Sequence, residues 1–412
     1  MQHAKINSLI QCWHGESLPS IYIYPPEDKR PEEFYKQLRL YFRTWFVHPV
    51  KRRIAKYYLW ILQTFFGLKV IAITGSSGKT STKDMLNSIL STKGETVSSH
   101  LNIDSTFNIP STILRSKPTT HYLILEMGVE YKGDMKFYRW LATPDLVVVS
   151  NIYQTHTLYF GDEEGVVQEK EGIVEDLPKL ALVVLNKENI HTVKMANKTQ
   201  AKIVWFGKGG EVQAENLKLS FEGTEFTLNV DGNKTQVKIP LIGKHFVSNA
   251  MAAATAAYSL GVSLEKIKEG LEKALPPSQR LSVKTLKNGA IVLDDTYNNN
   301  PSAAKATFAA VKELREDKKL ILVYGDMKEL GETEVQRHKD IGKVIEDLKA
   351  DFVILVGPLS VHTQSSLKKT KNVRVETAQE VLSVLKPLIT KSSLILVKGA
   401  RSLKLEELVA KL

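Results

Sequence analysis

The segment Val70–Leu86, VIAITGSSGKTSTKDML, constrains the fold more than any other stretch of this chain. An apolar run of strand length ends in small residues, and a lysine, two hydroxyl residues and a helical pattern follow. That order predicts a buried strand, a tight loop and a helix whose N-terminus faces the loop. The pattern G-x-x-x-x-G-K-[ST] would need glycine at position 73, where isoleucine stands; the form present is T-G-S-S-G-K-T. The physics is the same, because small residues let backbone N–H groups turn toward phosphate oxygens. Thr74, Gly75, Ser76, Ser77, Gly78, Lys79, Thr80 and Ser81 are therefore expected to hold ATP or GTP. Lys79 would reach the β- and γ-phosphates, and the Thr80 hydroxyl would face Mg²⁺.

Further strand-length apolar runs follow: HYLILEMG, DLVVVSNI and LALVVLN, each separated by helix-length sequence. Such spacing predicts βαβ units on a mostly parallel sheet. KLSFEGTEFTLNVDGNKTQVKIPLIG alternates with period two around an Asp-Gly turn and predicts a hairpin. A second α/β series, AIVLDDTY, KLILVYGDM, DFVILVG and SLILVKGA, begins after the proline-bearing LEKALPPSQR. The expected fold is α/β in three parts. Residues 1–68 form a short, atypical N-terminal region, 69–275 a central nucleotide-binding domain, and 276–412 a Rossmann-like α/β domain. A chain of 412 residues is long enough for this division.

The net charge of +11 is partly local. Between Tyr35 and Lys69 there is no acidic residue, while Lys36, Arg39, Arg43, Lys51, Arg52, Arg53, Lys56 and Lys69 alternate with aromatics such as Phe42, Trp45, Phe46, Tyr57, Trp60 and Phe65. One reading is a pair of amphipathic helices with aromatics packed inward and basic residues solvated. The other is a surface for an acidic partner: a membrane contacted through residues 36–66, nucleic acid, or a phosphorylated substrate. The single cysteine, Cys12, excludes an internal disulfide, and no signal peptide pattern opens the chain. A cytoplasmic monomer is expected.

Several ordered segments resemble the Mur ligase family of ATP-dependent amide-forming enzymes. They are TGSSGKT, EMG at Glu126–Gly128, NIYQTHTLYFG at Asn151–Gly161, EKEGI around Lys170, VVLNKEN, and GKHFVSNAMAAATAA. Together they cover roughly residues 69 to 412. DDTYNNNPSAAKATF, YGDMKELGE and VKGARSLKLEELV resemble the branch that adds D-Ala-D-Ala to a UDP-muramoyl-peptide in peptidoglycan synthesis. The resemblance implies that ATP phosphorylates a substrate carboxylate and that an amine then displaces phosphate from the acyl phosphate. It implies catalytic roles for Lys79, Lys170, His156 and Glu126, with Mg²⁺ on Thr80, Glu126, His156 and a carbamylated Lys170. His245, Asn249, Arg280 and Asp295 are implied on the nucleotide. Asn102, Tyr297, Asn298, Asn300, Lys398 and Arg401 are implied on the small-molecule substrates, a peptide or nucleotide-sugar peptide and an amino acid or dipeptide. Placement between domains implies closure before chemistry.

Two departures from the family pattern keep alternatives open. LNIDSTFNIPSTIL has Asn108 where the family has glycine, and the region before β-strand VIAIT has only a faint echo, EDKRPEEF, of the family's UDP-gripping segment. An amide ligase for a different, non-UDP acceptor of pseudomurein or polyglutamate type is the second reading. A nucleic-acid-binding P-loop protein is the third; the basic residues lie outside the nucleotide core and no RNA-binding signature accompanies them.

Overall fold

The apolar runs of the central region assemble around one strand. In the computed structural model, which describes residues 8–27, 30–100, 103–153, 160, 163–275, 279–328 and 330–412, β1 (Lys69–Thr74) lies between β3 (Tyr122–Glu126) and β4 (Leu146–Val149), paired in parallel with both. β2 (Thr96–Ser98) flanks β3, and β5 (Leu182–Asn186) and β6 (Lys202–Phe206) continue beyond β4, all parallel. Every residue of β1 except Lys69 is buried, as expected of strands covered on both faces. β7 (Val212–Ser220), β8 (Gly223–Val230) and β9 (Asn233–Ile239) extend the same sheet as an antiparallel meander. Asp231 and Gly232 turn its second hairpin at φ 50° and 87°, the conformation that an Asp-Gly pair supplies at low cost.

The second sheet has the order β10-β11-β15-β12-β13-β14. It comprises β10 (Ser282–Thr285), β11 (Ile291–Asp295), β12 (Lys319–Gly325), β13 (Phe352–Val356), β14 (Asn372–Val375) and β15 (Ser393–Lys398). Only β10 runs against its neighbour. The alanine-rich helix Lys244–Ser259 packs on the first sheet beside the helix Lys79–Leu90. Small side chains from Ala250 to Ala257 let it pack closely against Met85, Leu86 and Ile89 in one core.

The N-terminal region forms helix Phe34–Phe42, a wide π turn Arg43–Val47, and helix His48–Phe66, closed by Gly67 at φ 70°. Its inner face is Ala55, Leu59 and Leu62, which join Val70, Ala72, Leu123 and Leu125 in a second core. The inward-aromatic reading is therefore corrected. Phe42, Phe46, Tyr57, Trp60, Phe65 and Phe66 are exposed, and the buried contact is made by Ala55, Leu59 and Leu62, with only Trp45 and Tyr58 of the segment's aromatics packed against that core. No helix among the described residues is long and apolar enough to cross a membrane.

Candidate functional site

Parallel strands leave their carboxyl ends free of crossover helices, so ligands gather there. Thr74, Glu126, Asn151 and Asn186 all stand at or just beyond such ends. The loop after β1 requires both glycines. Gly75 has φ +145° and Gly78 +83°, and a Cβ would strike Ser150 Oγ at the first and Asn249 Oδ1 at the second. Asn249, buried on helix Lys244–Ser259, thus sits directly against the loop. Ser76 N donates to Asn151 O at 2.6 Å and Ser150 Oγ to Ser77 O at 2.6 Å, bracing the loop from the β4 end. Lys79 Nζ donates to Gly75 O at 2.9 Å. Burial pushes its pKa down, Glu126 opposes that shift, and Arg280 adds to it from across the cleft. Thr74 instead turns its hydroxyl into the sheet, donating to Met127 O at 2.7 Å. Ser81 Oγ is buried without a hydrogen-bond partner and lines the cavity beside the loop.

That cavity, about 580 Å³, lies between the two sheets. The loop Ser76–Ser81 and Glu126 form one wall, and His245, Arg280, Tyr297 and Lys398 stand on the other sides. At its inner end Lys79 and Glu126 are shared with a smaller cavity of about 180 Å³ that also contains Ser105 and Lys170. Thr80 Oγ1 donates to Glu126 Oε1 at 3.1 Å. Ser105 holds the end of β3 by donating to Glu126 O at 3.1 Å and accepting from Gly128 N at 3.0 Å.

Lys170 is buried at the end of helix Glu163–Glu171. The helix is anchored by Glu169, whose carboxylate accepts from Gly133 N at 3.0 Å and Met135 N at 2.8 Å. Burial, then repulsion from Lys79, lowers the Lys170 pKa to about 7, with Glu169 opposing. A neutral amine is accessible there near neutral pH. Thr80 and Glu126 offer the hard oxygen donors that Mg²⁺ takes. No group of three or more His, Cys, Asp and Glu converges among the described residues, so phosphate oxygens and water would complete such an ion's shell. His156 and Asn102 lie outside the described residues.

In the second lobe some expected ligands are engaged with each other. Lys398 Nζ donates to Asp295 Oδ2 at 2.6 Å and to Asn298 O at 3.2 Å, and Thr307 Oγ1 also donates to Asp295 Oδ2 at 2.6 Å. Lys398 is thus paired inside the cavity wall, not extended toward an incoming carboxylate, and Asp295 has two protein donors already. Asn300 caps helix Pro301–Leu314, accepting from Ala303 N at 2.8 Å, while still lining the cavity. Arg280 and Arg401 stack on Tyr297, with centroid distances of 4.6 and 5.8 Å. Burial first, then Lys398 and Arg280, push His245 down to about 4 against the pull of Asp295, so its imidazole is neutral.

Asn151, Tyr153, Asn186 and Glu188 also line the larger cavity. Asn186 Nδ2 donates to Asn151 Oδ1 at 2.7 Å. Their segments, NIYQTH and VVLNKEN, stood out in the sequence, but nothing local singled out these side chains; only the alignment of adjacent strand ends does so.

Comparison with known proteins agrees with this geometry. Residues 73–257 match the Mur ligase middle domain, and residues 279–401 the Mur ligase glutamate ligase domain. The chain is 34% identical over 363 residues to the UDP-N-acetylmuramoyl-tripeptide--D-alanyl-D-alanine ligase of Bacillus subtilis, covering 87% of this chain and 78% of that one. A crystal structure of MurF from Acinetobacter baumannii superposes with a TM-score of 0.82 at 31% identity, over 88% of this chain and 79% of that one. The MurF ligase of Thermotoga maritima, solved in complex with ADP, shares the fold at a TM-score of 0.77 and 23% identity, over 88% and 82% of the two chains.

Proposed function

The chain belongs to the Mur ligase family of ATP-dependent C–N bond-forming enzymes, and from that premise we propose that it adds D-Ala-D-Ala to a UDP-N-acetylmuramoyl-tripeptide, an addition that serves peptidoglycan synthesis. The observation that carries this reading is the junction at Lys79 and Glu126, where the nucleotide cavity opens into a second, smaller one. A carboxylate is a poor acyl donor. Transfer of the γ-phosphoryl group from ATP to it yields an acyl phosphate and ADP. The neutral amine of the dipeptide then attacks the acyl carbon, phosphate leaves with the bonding pair, and the amine's extra proton passes to solvent. Lys79, aimed at the junction, offsets negative charge that accumulates in the transition state. Mg²⁺ held by Thr80 and Glu126 would supply further charge neutralisation.

Lys170 supports the reading a second way. Its near-neutral pKa lets the amine add CO₂, forming a carbamate with release of a proton. The buried cation becomes an anion facing Lys79, a metal-binding group where the structure has a repelled ammonium.

The enzyme works as a monomer on the cytoplasmic side of the membrane, and the helices 34–66 rest on an anionic lipid surface. Among the described residues, thirteen of the 27 exposed large hydrophobics lie in this segment, far more than scattered surface apolar residues would give. Basic residues without intervening carboxylates flank them, which matches an anionic bilayer.

The decisive assay is phosphate release from ATP with UDP-N-acetylmuramoyl-tripeptide, with and without D-Ala-D-Ala. Release requiring both, with an amide product of the expected mass, is the expected result. Turnover with neither acceptor nor dipeptide, or with an acceptor lacking the muramoyl peptide, would overturn the substrate assignment.

A further inference from the structure

A third cavity adjoins the smaller of the first two. About 590 Å³ in volume, it lies between the N-terminal helices and helix Ser105–Ile113. Lys36, Arg39, Arg43, His48, Lys51 and Arg52 line one side, and no carboxylate lines it among the described residues. Lys51 Nζ bridges the two walls, donating to Ser111 Oγ at 2.7 Å. Arg52 is buried, and its NH1 donates to His14 O at 3.2 Å. The field is positive enough to act on its own members. Burial first, then Arg52, Arg43 and Lys51, push His48 down to about 4. Asp104 is the carboxylate whose charge opposes the effect of burial on Arg52, and one of its oxygens already accepts from Thr106 N.

The position of this cavity matters as much as its charge. It shares Ile103 and Asn108 with the small cavity that contains Lys79, Glu126 and Lys170. Helix Ser105–Ile113 is the common wall: Ser105 faces the small cavity and Ser111 the basic one. Six residues of helix separate them by about 9 Å. A substrate whose carboxylate lies beside Lys79 can therefore place a distant anionic group among the arginines without leaving the trough. Arg39 and Arg43 are exposed and one helical turn apart, so their guanidinium forks can close on one anion from the same side.

We propose that this basic cavity binds the diphosphate of the acceptor substrate and thereby sets its position along the trough. The inference rests on the amide-ligase reading for the identity of the ligand. Binding itself is measured independently of turnover. Both a nucleotide-linked and a polyprenyl-linked acceptor present a diphosphate, and the exposed apolar face of the same helices makes the second a real arm of the test.

The experiment uses full-length protein saturated with ADP, so that the P-loop is filled, and titrates UDP or farnesyl diphosphate calorimetrically. The variant Arg39→Ala/Arg43→Ala removes two exposed side chains outside the packed core; Lys51→Ala is a second, independent variant. Binding of either probe that weakens about tenfold or more in the double variant, with ADP affinity unchanged, is expected. UDP binding assigns a nucleotide-linked acceptor; binding of farnesyl diphosphate alone assigns a lipid-linked one. In turnover, KM for the acceptor rises while KM for ATP stays as in the wild type. Failure of both probes to bind, or equal binding by wild type and both variants, overturns the cavity assignment. Variant-sensitive probe binding without any amide formation leaves the cavity standing and overturns the ligase reading.

Discussion

Gly78 shows how little freedom the phosphate loop has. A methyl group there meets both a left-handed backbone, φ +83°, and the Asn249 carboxamide. The conformation alone disfavours alanine by about 1–2 kcal/mol. Gly78→Ala is expected to weaken ADP binding about tenfold or more by calorimetry, and the added Asn249→Ala change recovers part of the loss by removing the collision. Lys170 makes a prediction with a pH sign. Its folded pKa, about 7, lies below the ordinary lysine value of 10.5. Between those values the unfolded chain binds more protons, so this residue's destabilisation is greatest below about 7 and fades toward 10.5. In CO₂-free buffer, Lys170→Met is expected to melt above the wild type at pH 6, with the gap narrowing as pH rises to 10. Bicarbonate should raise wild-type activity at pH 8 and leave the variant unchanged. The loop residues were legible from sequence because their conformation is local. Lys398 was not: its partner Asp295 is set by the β11–β15 register, which pairs those two residues from 103 positions apart.

At the scale of elements, fully buried strands announced themselves as apolar runs, and β1, β3, β4, β5, β11, β12, β13 and β15 lie where those runs predicted. The strands left unassigned are β2, which is TVS, β6, which is KIVWF, β10, which alternates half-buried and exposed residues, and β14, which is NVRV. β2, β10 and β14 have too little apolar content to separate them from loop, and β6 is a five-residue, largely apolar run with only two residues buried, which the sequence reading passed over. The helices 34–66 failed differently. Amphipathicity was visible, but a helix can carry an apolar stripe on each of two faces, and only packing tells which is covered. Here the narrow stripe Ala55, Leu59 and Leu62 is covered and the broad aromatic one is open. The protein is expected to co-sediment with vesicles containing phosphatidylglycerol and not with phosphatidylcholine alone, and salt should weaken the binding. Phe46→Asp/Trp60→Asp, both at exposed positions, should reduce it at least fivefold. A concentration-dependent dimer by light scattering, with no vesicle binding, would assign the face to a second copy instead.

Over the whole molecule, the cavity proposed for the nucleotide belongs to neither sheet alone. The P-loop, Asn249 and Glu126 come from the first lobe, while Arg280, Tyr297 and the Lys398–Asp295 pair come from the second. A nucleotide bound there would hold the lobes in one arrangement, and the proposed chemistry would draw on charges contributed across the gap. Arg280 is the test case. It stacks on Tyr297 at 4.6 Å, and its charge adds to the burial that lowers the Lys79 pKa. Two cations held near one another await an anion between them, and a phosphoryl group in transfer is such an anion. If Arg280 acts on the transferring group, Arg280→Ala lowers kcat about 10²-fold or more, in the range seen when one preorganised charge is removed. On the proposal that the P-loop supplies most of the ADP affinity, ADP should still raise the melting temperature of the variant nearly as far as it does for the wild type. Arg280→Lys separates charge from shape: a lysine keeps the charge and loses the planar stack on Tyr297. Recovery of most of kcat by lysine assigns the effect to charge. Loss of ADP stabilisation in both variants, with kcat falling only in proportion, would assign Arg280 to nucleotide binding alone.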